Sequence, residues 1–594
     1  TLPEGQYEKA HHPLAWQHEY DGGRAFYTSL GHLDEAYDDP AFRKHLLGGI
    51  RYAIGKNKPL NYERARSLPR PDQTRFVKTV MADHLREPME LDQLPDGRIL
   101  LVERHGYLNL FDPATAQLSV VAKLNVYSEM GDGLMGIAVD PEYERTHRIF
   151  LYYSSMQDSM NQLSQFVFYD DSLHRSTEKM ILNVHTGHFN CFHAAGSLAF
   201  GPDGYLYLST GDNTSPFASD GYAPMDEQPG RKSFDAQRSS GNTMDLRGKI
   251  LRIRVADDGT YTCPPDNLFS QDKKGRPEIY VMGCRNPFRI SVDQRRNLLY
   301  WGDIGPDAGK TDTLHGPMGH DEINQARQAG NYGWPYFNGN NQAYRAFDFA
   351  TKKPGAWFDS KQPVNRSVNN TGATELPPAQ LPFIWYPYSR NRDFPMLGEG
   401  GRNAMAGPTY YCDNYEEKTR FPDYYHGKTI IYDWMRNWLM AVTVDSSGNF
   451  YHLEPMADSV HMTRPMDMIV DRKTGSIWML EYGQRWYASN EDARLSRIDY
   501  VQGNRKPIAR LGSDKTAGGT PLSVHFDPGK SEDYDHDDLM FEYSFAGIVM
   551  KKTNRPDTLV WQFDQPGVYN VVLKITDPEG AWSADTVRIF AGNE

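Results

Sequence analysis

The sequence predicts a mainly-β protein whose body is a six-bladed β-propeller, with a short N-terminal α/β remnant and a C-terminal Ig-like β-sandwich. A turn followed by a β-rich run recurs six times, as LPDGRILLVERHG (94–106), VDPEYERTHRIFLYYS (139–154), FGPDGYLYLSTGDN (200–213), VDQRRNLLYWGDIG (292–305), VDSSGNFYHLEP (444–455) and VDRKTGSIWMLEYG (470–483). Each sets Asp, Gly or Asn in a tight turn and then apolar residues that read as a strand. Composition agrees: 51 Gly and 38 Pro set turn dihedrals, and 12% aromatic residues fill pleated surfaces. Six recurrences with variable insertions suggest blades closed in a ring, which removes unpaired sheet edges. An irregular sandwich is the alternative the pattern leaves open.

The flanks differ from this middle. GRAFYTSL (23–30) reads as a strand, and residues 34–54 carry Phe42, Leu46, Leu47, Ile50 and Ile54 at helical spacing after an Asp/Pro start. One strand and one helix cannot enclose a core, so this piece is expected to pack on another body or to end a domain lying upstream. From Asn504 onward PLSVHF, LMFEYSF, TLVWQF, VYNVVLKIT and WSADTVRIF alternate with turns such as QPG and DPEG, the pattern of a small sandwich. The stretch 306–400, rich in Gly, Pro, Asn and Tyr, reads as long loops. At about 150 residues per domain, a chain of 594 residues holds about four units, or fewer when one is a large all-β domain.

Lys and Arg total 64 against 77 Asp and Glu, a net charge of −13. The acidic residues are dispersed, which disfavours a nucleic-acid partner. No window reaches the roughly 18 consecutive apolar residues of a membrane helix, so no transmembrane segment is expected. The first residues, TLPEGQYEKA, have neither Met nor a charged-then-apolar leader and read as a processed or cut end. Cys191, Cys263, Cys284 and Cys412 show no CxxC pair or metal-finger spacing, and no disulfide framework is indicated.

Four constellations bear chemistry. In HFNCFHAAGSLAFGPDG (188–204), His193 precedes a small-residue turn and a strand, a place from which an imidazole titrating near neutrality can act as general base. A hydrogen-bonded structural His is the alternative, and His185 with His188 makes only a weak metal pair. In GCRNPFRI (283–290), Arg285 offers a five-donor fork to a carboxylate or phosphate, with the Asn286 amide beside it; a surface salt bridge is the alternative. WGDIGPDAG (301–309), HDEIN (320–324) and NYGWP (331–335) bring the Gly305 and Pro306 carbonyls together with Asp321 or Glu322. That is the oxygen mixture a hard cation such as Ca²⁺ takes, without EF-hand spacing. RPMDM (464–468) sets Arg464 on a loop leading into the last blade strand, or as a solvated turn charge.

Taken together, EPMELDQLPDGRILLVERHG, DGLMGIAVDPEY, HAAGSLAFGPDGYLYLSTGDN, RGKILRI, GCRNPFRI, IGPDAG with HDEINQARQAGNYGWP, RPMDM and EDARLSRIDY resemble the glucose/sorbosone dehydrogenase family, soluble pyrroloquinoline quinone (PQQ) sugar dehydrogenases built as six-bladed propellers. The likeness runs in order through residues 75–501. It implies that His193 takes the proton of a sugar C1 hydroxyl while hydride passes to the quinone. It places Arg285 and Asn286 beside the cofactor, Arg464 on its carboxylates, and Met435 or Arg436 where the family has a lysine. It assigns the Gly305 and Pro306 carbonyls to the cofactor's calcium, and Asp321, Glu322 and Tyr332 to a second, structural calcium.

Residues 1–57 resemble the C-terminal end of a ThuA-like (trehalose-utilisation) domain, whose site would draw on His18 and His32. Residues 503–594 resemble a PKD domain, and the propeller then spans 58–502. In the PKD-like part Asp533, Asp535, Asp537 and Asp538 are a Ca²⁺ candidate, a solvated turn being the alternative. The resemblance thus implies a periplasmic, secreted or cell-surface carbohydrate oxidoreductase using PQQ and calcium on a sugar or oligosaccharide. A second reading is a non-catalytic glycan-binding propeller, an accessory subunit of a surface polysaccharide-utilisation complex. It is motivated by Gly131 where the family has Gln or Glu, by Phe192 where an Asp precedes the His, and by the missing lysine. A third is non-redox sugar chemistry at His193.

Overall fold

In the computed structural model, which describes residues 14–56, 59–62, 68–187, 192–271 and 273–592, the chain forms two units, Thr1–Pro71 and Asp72–Glu594. In the first, the predicted strand is half of a hairpin, Ala15–Tyr20 with Gly23–Thr28. The partner strand, AWQHEY, is almost wholly exposed, so it carries no alternation of apolar residues for a sequence reading to find. Asp39 caps the helix Pro40–Ala53, its Oδ1 accepting from the Ala41 amide at 2.7 Å. His18 and His32 are both exposed.

The second unit begins with the ring. Six sheets of four or more strands follow one another. Their first strands are Pro88–Gln93, Leu134–Val139, Ala195–Phe200, Pro287–Val292, Ala404–Tyr410 and Pro465–Val470. Each of these packs on the next and the sixth returns to the first, so the predicted six-bladed propeller is present. Five of the recurrent turn segments join the first and second strands of a blade. VDSSGNFYHLEP instead joins the third and fourth strands of the fifth blade, Trp438–Val444 and Phe450–Met456, whose first hairpin is opened by the insertion 411–427. The ring closes where Phe76–Ala82 adds to Arg494–Tyr500 as the outer strand of the sixth blade. There Phe76 is buried edge-on against Phe421, Tyr425 and Tyr500.

Three first strands share a pattern, PMELDQ, PFRISV and PMDMIV, with Pro at the start and a charge two residues on: Glu90, Arg289 and Asp467. Pro is tolerated at the first residue of a strand, where no ladder donor is lost. The pairing register shifts between Pro and the charge in all three, and such bulges re-aim a side chain. Arg289, fully buried, donates to the carbonyls of Met466 (3.0 Å), Phe288 (2.8 Å) and Met89, and its Nε lies 3.6 Å from Asp467. Glu90 accepts from the Ile137 amide at 2.8 Å and the Ser197 hydroxyl at 2.5 Å, and Asp467 from the Leu91 amide at 2.9 Å. Burial pushes both carboxyls above their usual range while Arg289 draws both down.

The stretch 306–400 is not uninterrupted loop. It contributes Asp321–Ala326 and Ile384–Tyr386, the third and fourth strands of the fourth blade, and two small hairpins within 337–357. These strands are short and carry buried polar residues such as Asp321, Asn324 and Asn338, which erases the apolar alternation. The C-terminal part is the expected sandwich, a three-stranded and a five-stranded sheet enclosing Val524, Phe526, Tyr543, Val571, Leu573 and Ile589. Arg505 holds it to the propeller, donating to Asp72 (3.1 Å) and Thr74 (2.5 Å) on one side and to Asp535 (2.7 Å) and the Tyr534 carbonyl (2.6 Å) on the other. Among the described residues no helix is long and apolar enough to cross a membrane.

Arg289→Met leaves two buried carboxyls without their cation, and breaking a buried pair this way costs about 3–5 kcal/mol. Urea unfolding should show a loss of that size. A loss below about 1 kcal/mol would mean that the charges at the axis do not act as a unit.

Candidate active site

Every candidate residue that converges does so at one face of the ring, where the first strands of the blades begin. Glu87, Gly131, His193, Arg285, Asn403 and Arg464 each lie within three residues of the start of a different first strand. The ring therefore gathers six chain segments, distant in sequence, around one mouth.

His193 is a bulky residue held in the left-handed region, at φ 65°. Its side chain is 10% exposed, and Nδ1 lies 2.7 Å from Oδ1 of fully buried Asp212. The carboxylate is an acceptor, so Nδ1 carries the proton and Nε2 presents a lone pair. Asp212 is itself aimed by the Thr214 amide (2.9 Å), by the Trp334 indole N–H (2.8 Å), and by its own amide, which donates to the Arg285 carbonyl at 2.8 Å. Gly211 before it is required, since a Cβ there would stand 1.8 Å from the His193 carbonyl oxygen. Burial, together with the Arg285 charge, pulls the imidazole below its usual range against the pull of Asp212. The ring is thus oriented by Asp212, in the segment STGDN, and Phe192, where the family has an Asp, packs edge-on with exposed Phe217 at 5.3 Å.

Arg285 donates to the Ile304 carbonyl at 3.0 Å and lies 5.8 Å from the Trp334 ring. Asp303 takes the amides of Arg285 (3.1 Å) and Asn286 (2.7 Å), and burial pushes its carboxyl up to about 7. Next to Asn286 is a cavity of about 140 Å³ lined by Ile304, Asn403, Trp434, Tyr482 and Trp486. Arg464 lies over Trp434 at 4.5 Å and Trp486 at 5.8 Å. Gly131 also lines it, held by Arg104, which donates to the Asp132 carbonyl at 3.2 Å and is clamped by Glu87 at 2.7 Å. A larger cavity of about 590 Å³ opens at the opposite end of the axis, past Asp92, Gln294 and Arg472, and holds none of these residues.

Other expected residues do not join the site. Arg436 gives its donors to the carbonyls of Gly401 (2.9 Å), Leu397 (2.9 Å), Gly398 (3.2 Å), Pro387 (2.7 Å) and Gly400 (3.2 Å), so it fastens the 387–401 loop and has none for a cofactor. The Tyr332 hydroxyl donates to the Gln325 carbonyl at 2.7 Å, with its ring against Trp301. Glu322 accepts from the Gly339 amide at 2.7 Å and from Asn324 at 3.1 Å. Asp321 and the Pro306 carbonyl both accept from Arg402. Asp321, Glu322 and the Pro306 carbonyl do not fit a calcium ion, because protein donors already meet their oxygens, and the Tyr332 hydroxyl is turned to the Gln325 carbonyl. Among the described residues the carboxylates close enough to share an ion are Asp533, Asp537 and Asp577 in the sandwich. Asp535 pairs with Arg505 instead, and Asp538 is exposed.

A six-bladed ring with a carboxylate-oriented histidine at its mouth is the class of protein this geometry defines. Residues 85–365 match the family model described as Glucose / Sorbosone dehydrogenase. Residues 1–53 match the model described as Trehalose utilisation. The aldose sugar dehydrogenase YliI of Escherichia coli is 29% identical over 269 residues, 43% of this chain and 61% of that one. The quinoprotein glucose dehydrogenase B of Acinetobacter calcoaceticus is 25% identical over 324 residues, 51% of this chain and 64% of that one. The chain thus spans about six-tenths of the length of these curated relatives. A putative glucose dehydrogenase of Thermus thermophilus superposes with a TM-score of 0.49 at 21% identity, covering 71% of this chain and 99% of that one.

Burial, with the Asp303 charge nearby, pushes Glu322 up to about 8 from an ordinary 4.5. Between those values the folded protein holds a proton that the unfolded chain releases, so this residue makes stability fall as pH rises from 4.5 to 8. Glu322→Gln removes that slope. The variant should gain on the wild type in thermal midpoint from acid to mildly alkaline pH, and a difference constant with pH would show that the carboxyl is ionised in the fold.

Proposed function

We propose that the propeller is a carbohydrate oxidoreductase of the PQQ-dependent aldose dehydrogenase kind, oxidising a sugar hydroxyl with a quinone as hydride acceptor. The observation that carries the proposal is the His193–Asp212 pair beside Arg285 at the mouth of the ring. The names of the two curated relatives support it.

The cavity next to Asn286 has the donors and acceptors such a cofactor needs. Arg464 Nη1, Asn286 Oδ1 and Asn403 Oδ1 are buried with no partner among the described residues, and buried polar atoms are rarely left so. Arg285 and Arg464 would take the carboxylates of a planar, anionic group, as guanidinium forks do, with the Asn286 and Asn403 amides at its polar edges. When bound, PQQ supplies a two-electron quinone acceptor.

The chain's own part is proton chemistry and orientation. Nε2 of His193 takes the hydroxyl proton as the neighbouring C–H departs as hydride. Asp212 keeps Nδ1 protonated, so the lone pair stays on Nε2, and it stabilises the imidazolium that forms. The lowered pKa keeps the ring neutral, and hence basic, at neutral pH. A periplasmic, secreted or cell-surface setting, a PKD-type identity for the sandwich and a sugar or oligosaccharide substrate belong to the same proposal.

Protein titrated with PQQ should develop bound-cofactor absorbance, reduce a dye in the presence of an aldose and release a product two hydrogens lighter. His193→Ala should lower kcat by about 10²–10⁴-fold and keep cofactor binding. Absence of both absorbance and dye reduction with any aldose or oligosaccharide overturns the proposal, and tight oligosaccharide binding without PQQ uptake turns it toward the glycan-binding reading. Since His193 titrates below 6.5, kcat/KM should rise with pH in the acid range and be level by neutrality. A limb whose midpoint lies above that of an ordinary imidazole would assign the base to another group.

A further inference from the structure

The resemblance sets a calcium ion on the Gly305 and Pro306 carbonyls, yet the Pro306 oxygen is already closed against protein. A Cβ on Gly319 would stand 1.6 Å from the Pro306 oxygen, and one on Gly305 the same distance from the His320 oxygen. The segment 319–321 thus lies flat on the Gly305–Pro306 turn. The remaining approach to the Pro306 oxygen is filled by Arg402, whose Nη2 donates to it while Nη1 donates to Asp321 Oδ1. Asp321 spends its other capacity on the amides of Gly305 (3.0 Å) and Ala404 (2.8 Å). A calcium ion takes six to eight oxygens at about 2.3–2.6 Å, and among the described residues the Pro306 oxygen and both Asp321 oxygens already meet protein donors.

The guanidinium itself does what such a cation does. Its side chain is 1% exposed against a fully buried Asp321, and it stacks on the Tyr388 ring at 4.2 Å. Its Nε is buried with no partner among the described residues. We infer that Arg402 is a resident monovalent cation standing where the family's divalent metal would, so that this mouth carries fixed positive charge without calcium. The inference rests on the proposed reading only in taking the Gly305–Pro306 turn as the metal's place. Its chemical consequence is that Asp321 and the Pro306 oxygen are held by N–H donors of Arg402 and not by a metal bond.

Crystals of the wild type soaked in Ca²⁺ or Tb³⁺ should show no anomalous peak within bonding distance of the Pro306 oxygen, whereas Arg402→Gly crystals should show one. A peak there in the wild type overturns the inference, whether or not the protein binds PQQ, so the outcome is separable from that of the proposed function. If Arg402→Gly does not fold, the wild-type soak still decides. In solution, PQQ affinity measured by absorbance titration should agree within about twofold in excess EGTA and in millimolar Ca²⁺, and a loss of tenfold or more in EGTA would count against a resident arginine.

Discussion

The charges at the propeller axis are the constraint from which the rest follows. Glu90, Arg289 and Asp467 bond to backbone or hydroxyl groups on the first strands of the first, second, third, fourth and sixth blades. A buried ion pair is weak evidence for net stability, because desolvation offsets most of the attraction. What this network adds is registry. Each charge is satisfied only when several first strands stand at set heights and angles around the axis.

That registry is what places the mouth. The site residues lie just before the first strands, so a strand slipped by two residues would move its contribution by about 7 Å and separate His193 from Asp212, or Asn286 from Asn403 across their shared cavity. The proposed chemistry accordingly needs little from any single blade. The base comes from the third, its orienting carboxylate from the end of that blade's second strand, the guanidinium forks from the fourth and sixth, and a resident cation from the fifth.

The electrostatics of this face are supplied by the chain itself. Burial raises Asp303 and Glu322 and lowers His193, so at neutral pH the mouth is less anionic than its residue list implies. Set against a net charge of −13, Arg285 and Arg464 make the mouth a place for anionic or oxygen-rich ligands, and Arg464 keeps a buried donor with no partner among the described residues.

How much of this was legible depends on whether a signal is local. The turns, the ring of blades, the sandwich, and His193, Arg285, Asn286 and Arg464 as candidates were all readable, because Asp-Gly turns, apolar alternation and short motifs act over a few residues. The axis charges left a trace too, in the repeated Pro-x-charge of PMELDQ, PFRISV and PMDMIV, but a charge inside an apolar run shows its purpose only once its partners are known. Asp212 stood inside a segment quoted for its turn, and Arg402 in a stretch with no periodicity. Whether Arg436 served a cofactor or a loop, and whether Asp321 met a metal or an arginine, turned on which of several donors, some more than 80 residues away in the chain, reached each oxygen first. By itself the sequence determined the blades and the chemistry available to them. Closing the ring decided which of those groups meet, because hydrogen bonds and ion pairs depend on distances between segments that only the folded backbone sets.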